Sequence, residues 1–533
     1  MKVTDYIIEF LVSKGITDIF GYPGGVICHL MDSSTKYPEI TAHVNYHEQA
    51  SAFAACGYAQ ATGKLGVAYT TSGPGATNLV TGIANAYYDS IPTMFLTGQV
   101  DTYAKRGRYP VRQRGFQETE VISMVKDMTK YAVRVDNAND IRYCLEKAYY
   151  VAFESNPGPV LLDLPADVQR ANVNVESLRG YTQEELSIDY KKEISLLNEA
   201  IFAAKKPLLL VGNGVKLSST DKELMEIAEI FGIPCIFSMP AFDVFPTNHS
   251  LNFGFLGGNG HKYANLIATQ SDLIISIGSR LCIRQIGLAR EKFAPQAKLI
   301  RVDIDGGSMT YKVHDDEITV VVDLKSFIPQ WKKNAISVND YSSWEKECNT
   351  IKANNDLNNY VEDARLIKGF SRLVPENFDI TLDVGLNQLL CAINFDVKGS
   401  QNVFMSAGHG AMGYSLPAAI GACVGTKKPV ISFCGDGGLM MNVQELQYLK
   451  RDQLPIKVVC INNGILGMIK GFQDRNFNRN YINTTKESGY LTVDLKKLAA
   501  AFDIPYTRVS SESELINIDL LTEGPAFIEL IVN

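Results

Sequence analysis

Short apolar runs alternate along the whole chain with longer stretches in which apolar positions recur every three or four residues. That is the pattern of buried parallel strands covered by amphipathic helices. Strands are expected at Asp18 to Phe20, Leu65 to Thr70, Thr93 to Thr97 and Val160 to Asp163, forming a first block over residues 1–170. A second block, 190–332, begins with Pro207 to Val211, continues through Ile233 to Phe237, Leu273 to Ile277 and Leu299 to Val302, and closes near Trp331. The third, 363–533, holds Val403 to Met405, Val430 to Phe433, Ile456 to Ile461 and Ala526 to Val532. Two polar stretches, 172–190 and 333–362, read as connectors, the second with one helical segment. The fold class expected is therefore α/β, three doubly wound parallel-sheet domains.

Length agrees with this division, since 533 residues exceed what one core can serve. No stretch approaches the ~20 apolar residues of a membrane helix, so no membrane-spanning segment is expected. Residues Met1 to Gly15 read as an amphipathic helix with Val3, Ile7, Ile8 and Leu11 on one face, not as an export signal. The ten cysteines are scattered singly without paired spacing, which points to a reducing cytoplasm; Cys56, Cys434 and Cys460 sit in apolar or glycine-rich segments as buried small side chains. The net charge of −7 carries no basic stripe and argues against nucleic acid as the main partner.

Two segments carry chemistry. Ile431 to Cys434 runs as a strand into Gly435-Asp436-Gly437-Gly438, a loop at the strand's carboxyl end where glycines let backbone N–H groups approach phosphate and an aspartate can offer oxygen to Mg²⁺. Alone, such a loop is also what an ordinary tight turn looks like. However, the 24 residues between Gly437 and Asn462 allow one helix and a return strand, which sets Asn463 beside Asp436. Near the other end, His47 to Ala59 reads as a helix with a small-residue face, so that Glu48 begins a buried helix. A glutamate there is most often a dipole partner or cap.

The GDG motif, this gap and Asn462-Asn463 resemble the signature of the thiamine-diphosphate enzymes. The run His47-Glu48-Gln49, Phe53-Ala54-Ala55, Gly57-Tyr58-Ala59, Ala61-Thr62-Gly63-Lys64 resembles the activating-glutamate helix of the acetolactate synthase family. Gly21 to Gly25, Gly73 to Asn78, Gly115 to Glu118 and Gly413 to Gly421 match that family in order. The resemblance implies pyrimidine-binding, central Rossmann-like and diphosphate-binding domains. It implies magnesium ligands at Asp436, the Asn463 side chain and the Ile465 backbone carbonyl. Glu48 would hold a proton at the cofactor's pyrimidine N1′, and Met412 would wedge between the cofactor rings. Other cofactor contacts would come from Pro74, Asn78, Gly385, Leu386, Asn387, Gly410, Gly435, Gly437, Gly438, Gly467 and Met468. Gln117 joins Glu48 and Met412 as a catalytic candidate, and Gly25, Gln117 and Phe472 are candidates for substrate contact. Because the glutamate and the metal site lie on different subunits in such enzymes, a homodimer or tetramer with active sites at the dimer interface is implied; a regulatory subunit is left open.

The implied activity is pyruvate decarboxylation and ligation of the two-carbon unit to a keto acceptor, as in branched-chain amino acid biosynthesis. Two alternatives stand beside it: the same chemistry on a nucleotide-linked ketosugar in polysaccharide biosynthesis, and a non-ligating 2-keto-acid decarboxylase. Several positions depart from the family. Phe472 replaces a tryptophan that selects the acceptor, Phe242 replaces a lysine near the flavin, and Gly258-Asn259 replaces a flavin-side pair. FAD nevertheless stays open through Arg280, Arg284 and Asp303, while Gly212-Asn213-Gly214 lacks the full dinucleotide fingerprint. The chain ends soon after Val532 without the family's longer tail, so wider access to the site is expected. Lys105, Arg106, Arg108, Arg112 and Arg114 form a cluster outside the family pattern, read either as a solvated loop or as an anion subsite for a large phosphorylated acceptor.

Overall fold

A computed structural model describes residues 1–183, 188–336, 339–356 and 362–532. Parts of both expected connectors (184–187, 337–338 and 357–361) and residue 533 lie outside the described residues. Three six-stranded sheets, parallel throughout, organise the chain. The first contains β1 (Asp18–Gly21), β2 (Thr41–Val44), β3 (Gly66–Thr70), β4 (Thr93–Gln99), β5 (Tyr131–Arg134) and β6 (Val160–Pro165), in the order β2-β1-β3-β4-β6-β5. The second contains β7 (Pro207–Val211), β8 (Cys235–Phe237), β9 (Asn252–Phe255), β10 (Leu273–Ile277), β11 (Lys298–Asp303) and β12 (Ile318–Val321), in the order β12-β11-β10-β7-β8-β9. The third contains β13 (Asp379–Leu382), β14 (Val403–Met405), β15 (Val430–Gly435), β16 (Ile456–Asn462), β17 (Tyr506–Val509) and β18 (Ala526–Ile531), in the order β14-β13-β15-β16-β18-β17.

The expected α/β class and all twelve expected strands are present, but six strands were not legible: β2, β5, β9, β12, β13 and β17. All but β13 are sheet edges. An edge strand has one neighbour and more contact with water, so it need not be uniformly apolar; Tyr131–Arg134 is half-buried at every position. β13 lies inside its sheet, where buried Asp379 and Thr381 break the apolar run. Each is compensated by hydrogen bonds, Asp379 accepting from the Asn402 N–H and Thr381 pairing with the Ser415 hydroxyl.

The second connector holds its expected helical segment, and that segment is not fully solvated. Its helix, Ser342–Asn355, packs against the middle sheet: Trp344 is buried, and its ring N–H donates to the Pro207 carbonyl at 3.0 Å. The middle core therefore extends beyond Trp331. The N-terminal helix spans Val3–Ser13 and buries Val3, Ile7, Ile8 and Leu11 together with Tyr6 and Phe10. Among the described residues no helix is long and apolar enough to cross a membrane.

Parallel strands place their following loops on one edge. In the first sheet the carboxyl ends of β1, β2, β3 and β4 lead to Gly24-Gly25, Glu48, Pro74–Asn78 and residues 100–120. In the third sheet β13, β14, β15 and β16 lead to Gly385–Asn387, Gly410–Met412, Gly435–Gly438 and Asn463–Ile465. The two sheets meet through the helix Glu48–Thr62 and the helix Ser415–Thr426. Both are rich in small residues, and the backbones touch: a Cβ at Gly57 would strike the Ala418 carbonyl, and one at Gly421 the Ala54 carbonyl.

Candidate active site

On the third sheet, β15 ends at Gly435 and Asp436 opens the short helix Asp436–Leu439. Asp436 is buried, and burial raises its carboxyl above the usual range, against a hydrogen bond from the Tyr490 hydroxyl to Oδ2 at 2.9 Å. The neighbouring strand β16 pairs Ile461 with Gly435, so the turn after it stands beside Asp436. In that turn Asn463 Oδ1 accepts from the Ile465 N–H at 3.2 Å, and Gly464 takes φ +67° with open space where a Cβ would stand. A Cβ at Gly467 would come within 3.1 Å of both Asn463 Nδ2 and Leu386, and one at Gly435 within 3.3 Å of Asn387 Nδ2. A Cβ at Gly437 would meet Leu466 at 2.8 Å, the Tyr490 hydroxyl at 3.2 Å and Met412 Cε at 3.6 Å. Leu386, Asn387, Met412, Gly435, Asp436, Gly437, Asn463 and Gly467 are thus gathered in one place. Gly410 (φ +71°) has no atom within 4 Å of a Cβ, and the buried Asn387 Oδ1 has no hydrogen-bond partner. An open glycine turn and an orphaned acceptor suit a polar ligand, and the Asp436 carboxylate with the Asn463 amide oxygen is the hard donor pair Mg²⁺ takes. Among the described residues no three His, Cys, Asp or Glu side chains cluster to hold a metal, so an ion here depends on amide, carbonyl and ligand oxygens.

Met468 and Phe472 share one face of the helix Gly467–Asn476, one turn apart, and both are exposed; the Phe472 ring lies 5.9 Å from Phe477.

On the first sheet, His47 caps the Glu48–Thr62 helix by accepting the Gln49 N–H at Nδ1, 3.1 Å, which leaves Glu48 as its first residue. Glu48 is buried, Asn78 Nδ2 donates to its Oε2 at 2.9 Å, and a Cβ at Gly75 would come within 3.2 Å of Oε1. Gly73 (φ +63°), next to Pro74, lies against Gln117, with 2.9 Å from its would-be Cβ to Gln117 Cβ. Gln117 itself sits at φ 64°, an uncommon conformation for a residue with a side chain. Gly24 packs on Thr71, as Gly75 does, and Gly25 opens onto free space. Glu48, Pro74, Asn78 and Gln117 therefore adjoin one another, with the Gly24-Gly25 turn alongside.

Sequence reasoning missed three groups. Tyr490 lies 54 positions from Asp436, in a loop without pattern. Asp383 is fully buried beneath Gly438 and accepts from the Gly413 N–H at 2.9 Å and the Val384 N–H at 2.6 Å; burial pushes its carboxyl up to about 7. It follows the unrecognised strand β13, whose end was its only signal. Glu445, also buried, accepts from Asn45 Nδ2 at 3.0 Å and the Tyr46 N–H at 2.8 Å, and burial pushes it up to about 7. With Asn442 Nδ2 on Gln49 Oε1 at 3.3 Å and the Tyr448 hydroxyl on His43 Nδ1 at 2.6 Å, Glu445 makes the third domain grip the backbone leading to Glu48.

A cleft of about 1050 Å³ opens where the three domains meet, lined by Arg280, Arg284 and Asp303 among others. Neither arginine enters an ion pair among the described residues, and burial raises the Asp303 carboxyl. Phe242 does not line the cleft but is buried in the middle core, 6.5 Å from the Phe255 ring. Asn259 does line it.

The basic cluster on the loop after β4 is not uniform. Lys105 pairs with Asp136 at 2.6 Å, and Arg114 Nη1 donates to the Tyr103 and Lys105 carbonyls at 3.0 and 3.3 Å. Arg106, Arg108 and Arg112 form no ion pair among the described residues.

These sheets and half-sites are those of a three-domain thiamine-diphosphate enzyme, and comparison with known proteins agrees. Residues 1–124 match the family model "Thiamine pyrophosphate enzyme, N-terminal TPP binding domain", residues 194–331 the central domain, and residues 383–530 the C-terminal TPP binding domain. Tobacco chloroplastic acetolactate synthase 1 is 33% identical over all of this chain and 82% of its own length. A probable acetolactate synthase large subunit of Methanocaldococcus jannaschii is 33% identical, covering 100% of this chain and 92% of its own, and the large subunit of Escherichia coli acetolactate synthase isozyme 2 is 32% identical, covering 100% and 96%. The chain belongs to the acetolactate synthase family of thiamine-diphosphate-dependent enzymes.

Proposed function

We propose that the protein decarboxylates pyruvate with thiamine diphosphate and Mg²⁺ and ligates the two-carbon unit to a keto acceptor. The observation that carries this reading is the pair of half-sites: buried Glu48 held by Asn78 on one sheet edge, and Asp436 with Asn463 on another. Thiamine diphosphate supplies the electron sink for decarboxylation. Glu48 would hold a proton at the pyrimidine N1′, and the Asn78 amide, donating to Oε2, limits how the carboxylate can turn. Asp436, the Asn463 side chain and the Ile465 carbonyl would hold the metal, while Gly410 and Gly435–Gly438 would admit the diphosphate. Met412, with Leu386, Asn387, Gly385, Gly467, Met468 and Pro74, would contact the bound cofactor. Gln117, held in its unusual backbone conformation beside Gly73, orients the substrate, with Gly25 and Phe472 on the acceptor side.

Each Glu48 works with the Asp436 of a second copy, so the enzyme is a homodimer at least, in the cytoplasm, built of domains 1–170, 190–332 and 363–533. FAD suits the cleft at Arg280, Arg284 and Asp303, whose free guanidinium groups match a diphosphate; a visible flavin spectrum in purified protein tests this.

The main test is labelled pyruvate with Mg²⁺ and cofactor, run alone and with added keto acceptors, phosphorylated ones included. Release of CO₂ with a ligated product is expected. Acetaldehyde as sole product overturns ligation in favour of a decarboxylase, and no CO₂ release overturns the reading.

A further inference from the structure

We propose that the acceptor carries a phosphate or diphosphate group, and that Arg106, Arg108 and Arg112 bind it. This rests on the carboligase reading and names the class of its second substrate.

Position comes first. The loop leaves the carboxyl end of β4, the edge that also carries Glu48 and Pro74–Asn78, and returns through Gln117, which lies against Gly73. Arg112 is five residues from Gln117, so its Cα lies within about 18 Å of it, and the long side chain shortens the gap further.

The loop is also held. Glu118 is buried, and its carboxylate accepts from the Arg106 N–H at 2.7 Å, the Arg114 N–H at 2.9 Å and the Gly115 N–H at 3.4 Å. Burial alone would raise this carboxyl, but the three N–H groups keep it below the usual range, so it stays an anion. One charge thus staples both ends of the segment 106–115. Gln113 Nε2 adds a bond to the Glu118 carbonyl at 3.1 Å.

Charge accounting then separates the cluster. Every acid flanking the loop is engaged: Asp136 by Lys105 and Arg134, Glu120 by Arg134, Asp101 by Arg170, and Asp167 by the Thr102 N–H and hydroxyl. Lys105 and Arg114 are engaged as described. Arg106 has one long bond from Nη1 to the Val111 carbonyl at 3.5 Å, and Arg108 and Arg112 have no side-chain partner among the described residues. The Glu118 anion also attracts the Arg106 charge, while Arg108 and Arg112 leave the exposed loop with positive charge that favours an incoming anion. A planar fork of donors matches phosphate oxygens, and more than one fork suits a phosphate better than the lone carboxylate of a small keto acid. Tyr109, one face of which lies 5.7 Å from the Arg114 guanidinium, and Phe116 are both exposed on the same loop and offer apolar surface, which suits a phosphate ester of a ring compound.

The test uses the full chain loaded with Mg²⁺ and excess thiamine diphosphate, so that the cofactor site is filled. UDP serves as the diphosphate-ester probe and is titrated calorimetrically. Wild type is expected to bind it with affinity that falls as salt rises, and R106Q/R108Q/R112Q to bind it at least about tenfold more weakly. R108Q and R112Q singly should each give part of that loss, while R280Q/R284Q in the cleft should give none. Circular dichroism and thermal unfolding check that the triple variant folds. No UDP binding by wild type, or equal binding by the folded triple variant, overturns the proposal. CO₂ release from pyruvate is measured separately. If it occurs while UDP binding ignores the arginines, this inference falls and the carboligase reading stands; if it is absent while UDP binding depends on them, the carboligase reading falls and takes the acceptor assignment with it, leaving only a phosphate-binding loop.

Discussion

The Asn78 side-chain amide donates to Glu48 Oε2 at 2.9 Å, joining the first residue of one helix to the end of the short helix Pro74–Asn78. Glu48→Gln keeps the shape and removes the acid, so turnover should fall on the order of 100-fold or more while calorimetric affinity for thiamine diphosphate changes far less. Asn78→Ala frees the carboxylate to rotate and should cost about tenfold. Undiminished turnover in E48Q would falsify the role of Glu48.

The Tyr490 hydroxyl donates to Oδ2 of Asp436, the proposed magnesium ligand, at 2.9 Å. A partner that orients a ligand is commonly worth about ten- to a hundredfold in metal affinity. Tyr490→Phe should therefore weaken Mg²⁺ binding by about tenfold, with activity recovering at high Mg²⁺. Titration of Mg²⁺ into the metal-free protein with cofactor present decides it, and an unchanged dissociation constant sinks the assignment.

Glu445 ties the third domain to Asn45 and Tyr46, and burial pushes its carboxyl up to about 7 from an ordinary 4.5. The folded chain then binds this proton more tightly than the unfolded chain. The resulting stability is fully present below the ordinary carboxyl range and is lost as pH rises through about 7, on the order of 1–3 kcal/mol. Glu445→Gln mimics the protonated form, and the buried, unpartnered Asn45 Oδ1 can accept the new N–H. The difference in thermal midpoint, variant minus wild type, should rise between about pH 5 and pH 8. A constant difference across that window counts against the assignment.

Gly421 and Gly57 let two helices touch backbone to backbone. Gly421→Ala forces them apart and should cost on the order of 3 kcal/mol, read as a lower thermal midpoint; Gly425→Ala, whose Cβ would meet only Thr62 and Tyr58 side chains, should cost less. Equal losses at both positions would show that backbone contact is not what matters.

Sequence by itself determined the class of fold and, through resemblance to a family, singled out the candidate half-sites. Central parallel strands such as Val430–Gly435 and Ile456–Asn462 are apolar because both faces are covered, and that leaves a readable run. The glycines, Asp436, Asn463 and Glu48 were legible as candidates because they stand in short local motifs that resemble those of a known family. Edge strands such as Tyr131–Arg134 were not, since partial exposure permits mixed polarity. Only the tertiary structure decided that Tyr490 reaches Asp436 across 54 positions, and that Glu445 reaches Tyr46 across 399. It alone separated Lys105 and Arg114, which are engaged, from Arg106, whose side chain makes one long bond, and from Arg108 and Arg112, which have no side-chain partner among the described residues. Local pattern records what each segment must bury, whereas pairing of polar groups depends on which segments the packed sheets bring into contact, and no periodicity encodes that.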